Sequence, residues 1–143
     1  MSDRLPDLEG TTLSGLAVRL PQDLPAHPLV LVIGFTHGSR HDVGAWKAAL
    51  GALGLAYLSL PTSAVDLAAD AMGEVAQAMR ARVPREGWDQ VVQIHRGGES
   101  LLCTFRWQVD IFAKVIRVDT TGKVLAHHDA GPFTSEAFAA LIG

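Results

Sequence analysis

The chain of 143 residues holds one cysteine, Cys103, and that scarcity excludes more chemistry than any motif it contains suggests. A single thiol forms no internal disulfide and builds no cysteine-based zinc site. Charge of one sign is scarce as well: 12 Lys and Arg stand against 15 Asp and Glu, a formal net charge of −3. There is no basic run and no interleaving of aromatic with basic residues, so nothing points to nucleic acid. Long apolar runs are missing. The longest, Pro28 to Phe35, is far too short to span a bilayer. The opening segment Met1-Ser-Asp-Arg-Leu-Pro-Asp7 has no apolar core and does not read as a signal peptide. Repeats and low-complexity stretches are absent too. With 48% hydrophobic and 19% charged residues, these exclusions leave the expectation of a soluble, cytoplasmic protein with one domain and one core.

What is present follows an α/β plan. Residues 1–28 read as an N-terminal extension in which Thr11–Leu13 and Leu16–Leu20 flank Ser14-Gly15 as a hairpin or a pair of short edge strands. Residues 29–143 form the core. Leu29 to Phe35 is continuously apolar and rich in β-branched residues, as in a strand buried on both faces of a parallel sheet. A helix is expected from near Asp42, its N-cap, with Val43, Trp46, Leu50 and Leu53 on one face and Gly54 at its end. Leu55–Leu60 reads as a second buried strand, ended by Pro61. Ser63 and Asp66 resemble a capping box before a helix carrying Ala68, Met72, Val75 and Met79 on one stripe, which stops at Val83-Pro84. Val91–Ile94 is a short strand and Gly97–Phe105 a short helix. Ala113–Asp119 and Lys123–His128 make a hairpin around Asp119-Thr-Thr-Gly122. Thr134 or Ser135 caps a last helix with Phe138, Leu141 and Ile142 inward. Strands separated by helices must be parallel, and the last two antiparallel.

This order of elements is also the thioredoxin order, and patches of sequence resemble its relatives. Leu8-Glu-Gly10 through Val18-Arg-Leu20 looks like the entry of peroxiredoxin-like proteins, where a glycine turn precedes an apolar strand. Gly34-Phe-Thr-His37 is similar to the tetrapeptide before the cysteine motif of Sco-type copper chaperones. Val118-Asp-Thr-Thr-Gly-Lys-Val124 looks like the late strand-turn-strand of most of these families. Arg82-Val-Pro84 and Gly131-Pro132 resemble a thioredoxin-like family of ATP synthase assembly factors, whose members need not keep the cysteines. The resemblance implies a thioredoxin-like α/β/α sandwich with a central mixed sheet and an N-terminal strand extension.

The departures lie in the redox apparatus. In the Sco register the two cysteines fall at Gly38 and Asp42, and neither residue replaces a soft thiolate for copper(I). Ile111-Phe-Ala-Lys114 occupies the place of the cis-proline that faces the cysteines, and no proline occurs between Pro84 and Pro132. A loop without a thiolate carries out neither disulfide exchange nor peroxide reduction. The chain leans away from being an enzyme.

The candidate residues each have a plain reading beside a functional one. His37 and His41, four apart at the helix start, and the pair His127-His128 are candidate metal ligands, against ordinary loop and edge-strand histidines. Adjacent strand residues face opposite ways, so His127 and His128 do not easily share an ion. Cys103 lies in the apolar run Leu101–Phe105, where a buried, inert thiol is expected rather than a reactive one. Trp46 and Trp88 read as packing. Trp107, in a polar context, reads as partly exposed and either a binding anchor or structural. There is no nucleophile elbow, no phosphate-cradling glycine pattern and no paired carboxylates.

The resemblance implies a non-redox binding protein, an assembly or chaperone-like factor acting on a protein partner, with no cofactor, no resident metal and no membrane span. Its binding face is expected at the rim of the former active site: His37, Ser39, Arg40, His41, Asp42 and Phe112. Two rival readings stay open. One is a Sco-like metal-binding protein using His37 and His41. The other is a divergent oxidoreductase or an enzyme using Ser39, His37 or Asp42.

Overall fold

The computed structural model describes residues 4–143 apart from the side chains of Ala69 and Asp70; Met1–Asp3, the start of the segment expected to lack a signal peptide, lie outside the described residues. In chain order the elements are β1 (Leu8–Thr12), β2 (Ala17–Leu20), β3 (Leu29–Gly34), α1 (Arg40–Ala52), β4 (Tyr57–Pro61), α2 (Ala69–Arg80), β5 (Val92–Arg96), α3 (Gly98–Phe105), β6 (Lys114–Val118), β7 (Val124–His128) and α4 (Ser135–Ile142).

β3 is an inner strand. It pairs in parallel with β4 and antiparallel with β6, and β7 adds antiparallel to β6. Leu31, Val32 and Ile33 are fully buried because both faces of the strand are covered. Leu31 and Ile33 pack with Ile116, Leu60 and Leu101 of α3 on one side. Val30 and Val32 pack with Trp46 and Leu50 of α1 and Leu141 of α4 on the other. This is the expected mixed sheet between helical layers. A three-stranded sheet, β2-β1-β5, continues it, joined by the parallel bridges Ser59–Val91 and Thr62–Ile94.

The N-terminal hairpin starts earlier than its turn residues suggest. β1 pairs with β2 from Leu8 opposite Leu20 to Thr11 opposite Ala17, and its other edge pairs with β5. Leu13 has left the ladder and is buried against Ala76, Met79 and Val91. A Cβ at Gly10 would stand 2.6 Å from the Gln93 carbonyl oxygen, so β1 reaches β5 through a residue without a side chain.

Several helical expectations are corrected. α1 begins at Arg40, so Asp42 lies inside the first turn and is not its N-cap. Its C-terminus follows the glycine rule: Gly54, at φ +66°, donates to the Gly51 carbonyl while Leu55 donates to that of Leu50. Leu53 is 62% exposed, because it follows the last turn and no longer shares the buried face of Trp46 and Leu50. Ser63 and Asp66 form no capping box. α2 starts at Ala69, and the Ser63 hydroxyl accepts the Val65 N–H instead. Its buried stripe is Ala76 and Met79, which face Leu13 and Val91, whereas Ala68 and Val75 are exposed. Gly97–Phe105 does form a helix, α3, entered through Gly97 at φ +100°. A Cβ on Gly98 would stand 1.9 Å from the Ser63 carbonyl oxygen, so α3 starts where only glycine fits. The Thr134 hydroxyl caps α4 by accepting the Ala137 N–H at 3.0 Å.

Candidate functional site

The site is built where β3 ends. A Cβ at Gly34 would lie 2.6 Å from the Ser39 hydroxyl, so the chain can fold back over the strand end only because this residue is glycine. Thr36 is extended and caps a single 3-10 turn, His37–Ser39, by accepting the Ser39 N–H at 3.2 Å. The same hydroxyl donates to the Asp110 carbonyl at 3.0 Å. The Ser39 hydroxyl donates to the Thr36 carbonyl at 2.6 Å and the residue is only 2% exposed. Ser39 is therefore engaged with backbone, not with His37 or His41 as a Ser–His catalytic pair requires.

Asp42 joins the rest. One carboxylate oxygen accepts the Ala113 N–H at 2.8 Å and the other the Phe133 N–H at 2.7 Å. The 36–42 loop, the 110–113 segment ahead of β6 and the 131–133 turn ahead of α4 thus converge on one carboxylate. At this rim His37, Gly38, Arg40 and His41 are exposed and Phe112 is half-buried. Arg40 donates to the His37 carbonyl at 3.0 Å. Ile111 is 60% exposed and reaches within 3.4 Å of where a Gly38 Cβ would stand. Gly38 thus serves as an open bend and Asp42 as a backbone clamp.

Behind the rim lies a polar network that sequence reading missed. Lys114 is 2% exposed. Its ammonium donates to Asp110 at 3.0 Å and to the Asp129 carbonyl at 2.9 Å. Asp110 also accepts the Phe112 N–H at 2.8 Å. The Asp129 carboxylate accepts from the Trp107 indole at 2.7 Å and from His127 Nδ1 at 2.6 Å. Trp107 is consequently buried, not partly exposed; its neighbours are polar in sequence, but it stacks on Phe105 with ring centroids 4.6 Å apart. The available signal was a lysine opening the otherwise apolar Lys114–Val118 strand, with aspartates before and after it.

The remaining candidates are dispersed. Cys103 is exposed on α3, not buried, because the inward position of that helix is taken by Leu101. His127 turns to Phe105 and Asp129, while His128 lies on the opposite face against Trp46 and donates to the Gly131 carbonyl. Trp88 packs at the Leu13–Met79–Val91 cluster, with its indole donating to the Val83 carbonyl. Among the described residues no group of three His, Cys, Asp or Glu side chains gathers as a metal site would require. No described helix is long and apolar enough to cross a membrane.

No protein-family model and no curated protein matches the chain. Solved structures do match. BsSco, a member of the Sco family of cytochrome c oxidase assembly proteins in which a disulfide switch was identified, superposes with a TM-score of 0.61 at 14% identity, over 90% of this chain and 84% of that one. The exposed lipoprotein thioredoxin Etrx1 of Streptococcus pneumoniae gives 0.61 at 13% identity, over 94% and 96%. A thio-disulfide isomerase from Thermus thermophilus gives 0.61 at 19% identity, over 96% and 91%. Likeness at such identities concerns the fold: this chain has a thioredoxin-like fold, and the loop after its strand β3 contains no cysteine.

Proposed function

We propose that this chain is a non-redox thioredoxin-fold binding protein, an assembly or chaperone-like factor acting on a protein partner in the cytoplasm. Its binding face is the rim of His37, Ser39, Arg40, His41, Asp42 and Phe112. The observation that carries this reading is the Asp42 clamp. Where the fold's redox relatives need a reactive side chain at the helix start, this chain has a carboxylate engaged by two backbone N–H groups. A group so engaged shapes the surface and is not free to react. Ser39 and Asp42 hold the rim from within; His37, Arg40, His41 and Phe112 meet the partner. Arginine beside aromatic and aliphatic side chains is the composition of a contact patch, and Ile111 extends it.

The test is affinity capture from the native host with the full chain and the variants Arg40→Ala and Phe112→Ala. Loss of a specific partner in folded variants supports the rim. Retention of every partner of the parent overturns it. Fractionation of the host cells checks the cytoplasmic assignment.

A further inference from the structure

A groove of about 1140 Å³ runs between α1 and α2 over the β4 end of the sheet. It opens at the 36–40 loop and extends towards Val83, past the C-terminus of α2. Its walls are helical faces. From α1 it receives Arg40, Val43, Gly44 and Lys47, residues at the i, i+3, i+4 and i+7 positions of one stripe. From α2 it receives Val75, Ala78 and Met79. Val43, Val75, Met79 and Val83 make the interior apolar, while Gly44 and Ala78 leave room for a close backbone approach.

Charge is unequally divided here. The chain as a whole carries −3, yet the groove holds Arg40, Lys47 and Arg82 against Glu74 among its described lining residues. Arg40 and Lys47 are seven residues apart, about 10 Å along the α1 axis at the α-helical rise. One carboxylate cannot meet both, whereas two acids seven apart on a helix can. Burial holds the Lys47 ammonium below the usual lysine pKa, so an acidic partner there would restore interactions that desolvation removes. The volume lies above the ordinary range for small-molecule pockets, roughly 300–1,000 Å³, and the trough between two helices suits a third.

We infer that this groove is a docking site for an amphipathic helix of a partner protein, one whose apolar face is flanked by acidic residues seven apart that meet Arg40 and Lys47. The inference rests on the reading of this chain as a protein-binding factor and names the partner segment's chemistry. The apolar face fills the space between Val43, Val75 and Met79, as in other helix-in-groove complexes. The cations set its register and exclude basic helices. The groove shares its upper end with the rim at His37 and Arg40, so one partner can span both.

The test uses the full chain and a fluorescein-labelled 18-residue synthetic helix with leucines at i, i+3, i+4 and i+7 flanked by glutamates seven apart. A second peptide carries lysine in place of each glutamate. Fluorescence anisotropy is expected to show saturable binding of the acidic peptide alone. Lys47→Glu is expected to weaken it about ten-fold or more, the direction set by reversing a partly desolvated charge pair. Ala78→Trp, which fills the trough, is expected to abolish it; circular dichroism confirms that each variant is folded. Leu125→Ala, exposed on β7 and outside both the groove and the rim, is expected to leave peptide binding unchanged. Absence of binding at millimolar peptide, equal binding of the lysine peptide, or insensitivity to both groove variants overturns the inference. So does saturable binding of dodecanoate that Lys47→Glu abolishes while the peptide fails, since the groove then takes an acyl carboxylate. Host-partner capture separates the two proposals. Loss with Phe112→Ala but not with Lys47→Glu leaves the rim standing and removes the groove. Loss with Lys47→Glu alone does the reverse.

Discussion

Asp42 and Ala113 are 71 positions apart in the chain, yet the Asp42 carboxylate accepts the Ala113 N–H at 2.8 Å. With its second oxygen on the Phe133 N–H, this one side chain fixes three segments of the rim. Charge-assisted hydrogen bonds to backbone are the strong kind. Asp42→Ala leaves two donors without acceptors, one on fully buried Ala113 and one on half-buried Phe133, and is expected to cost about 2–4 kcal/mol of stability. Asp42→Asn, which keeps one acceptor, is expected to cost less. Urea unfolding of the two variants checks the order. A loss below about 0.5 kcal/mol for Asp42→Ala, the range of an ordinary surface substitution, would show that the clamp is not structural.

The buried Lys114 gives an asymmetric pair of substitutions. Asp110→Ala strips the carboxylate from an ammonium that is almost without solvent, and breaking such a pair is expected to cost about 2–4 kcal/mol, discounted for the partly exposed aspartate. Lys114→Met removes the buried charge, keeps the volume of the side chain and leaves Asp110 able to reach water. It is expected to cost clearly less. Thermal unfolding distinguishes the two. A Tm for Lys114→Met at or below that of Asp110→Ala would contradict this account of the network.

Cys103 is exposed on α3, outside the 36–42 loop. Native protein is expected to react with one equivalent of a thiol reagent such as Ellman's reagent, with its circular dichroism unchanged. The same protein is expected to reduce neither insulin disulfides nor hydroperoxides, and Cys103→Ser to change nothing in either assay. A slow reaction that requires denaturant, or turnover that depends on Cys103, would refute the assignment.

The β6–β7 turn is expected to carry a pH dependence. The Thr121 hydroxyl, then the Thr121 N–H, donates to the Asp119 carboxylate and holds its pKa below the ordinary value of 3.8. A carboxylate depressed on folding adds stability that is present above its unfolded pKa and is lost as the pH falls through the folded one. Asp119→Asn is therefore expected to lower Tm at pH 7 and to lie progressively closer to the parent as the pH falls below the ordinary carboxylate value of 3.8. Parallel Tm profiles across the acid range would show that the turn contributes nothing through this charge.

The sequence on its own determined the inner strand. An unbroken run of branched apolar residues from Leu29 to Ile33 has one stable location, between two covered faces. It determined the Gly54 stop of α1, which needs a residue at positive φ, and it narrowed the cap of α4 to Thr134 or Ser135, because both are interactions within a few residues; the structure selects Thr134. It determined that the loop after β3 has no thiol chemistry, because the one cysteine of the chain stands at position 103. It did not determine what Asp42 does. An aspartate at a helix start offers the same two oxygens to local N–H groups and to distant ones, and only the arrival of Ala113 and Phe133 decided between them. Trp107 and Cys103 exchanged their expected places for a similar reason. Local polarity set the expectation, but burial on a helix and in the segment after it depends on which face the sheet covers. Lys114, Asp110 and Asp129 became a network only in three dimensions, because a buried charge is tolerable solely where the fold supplies its partners.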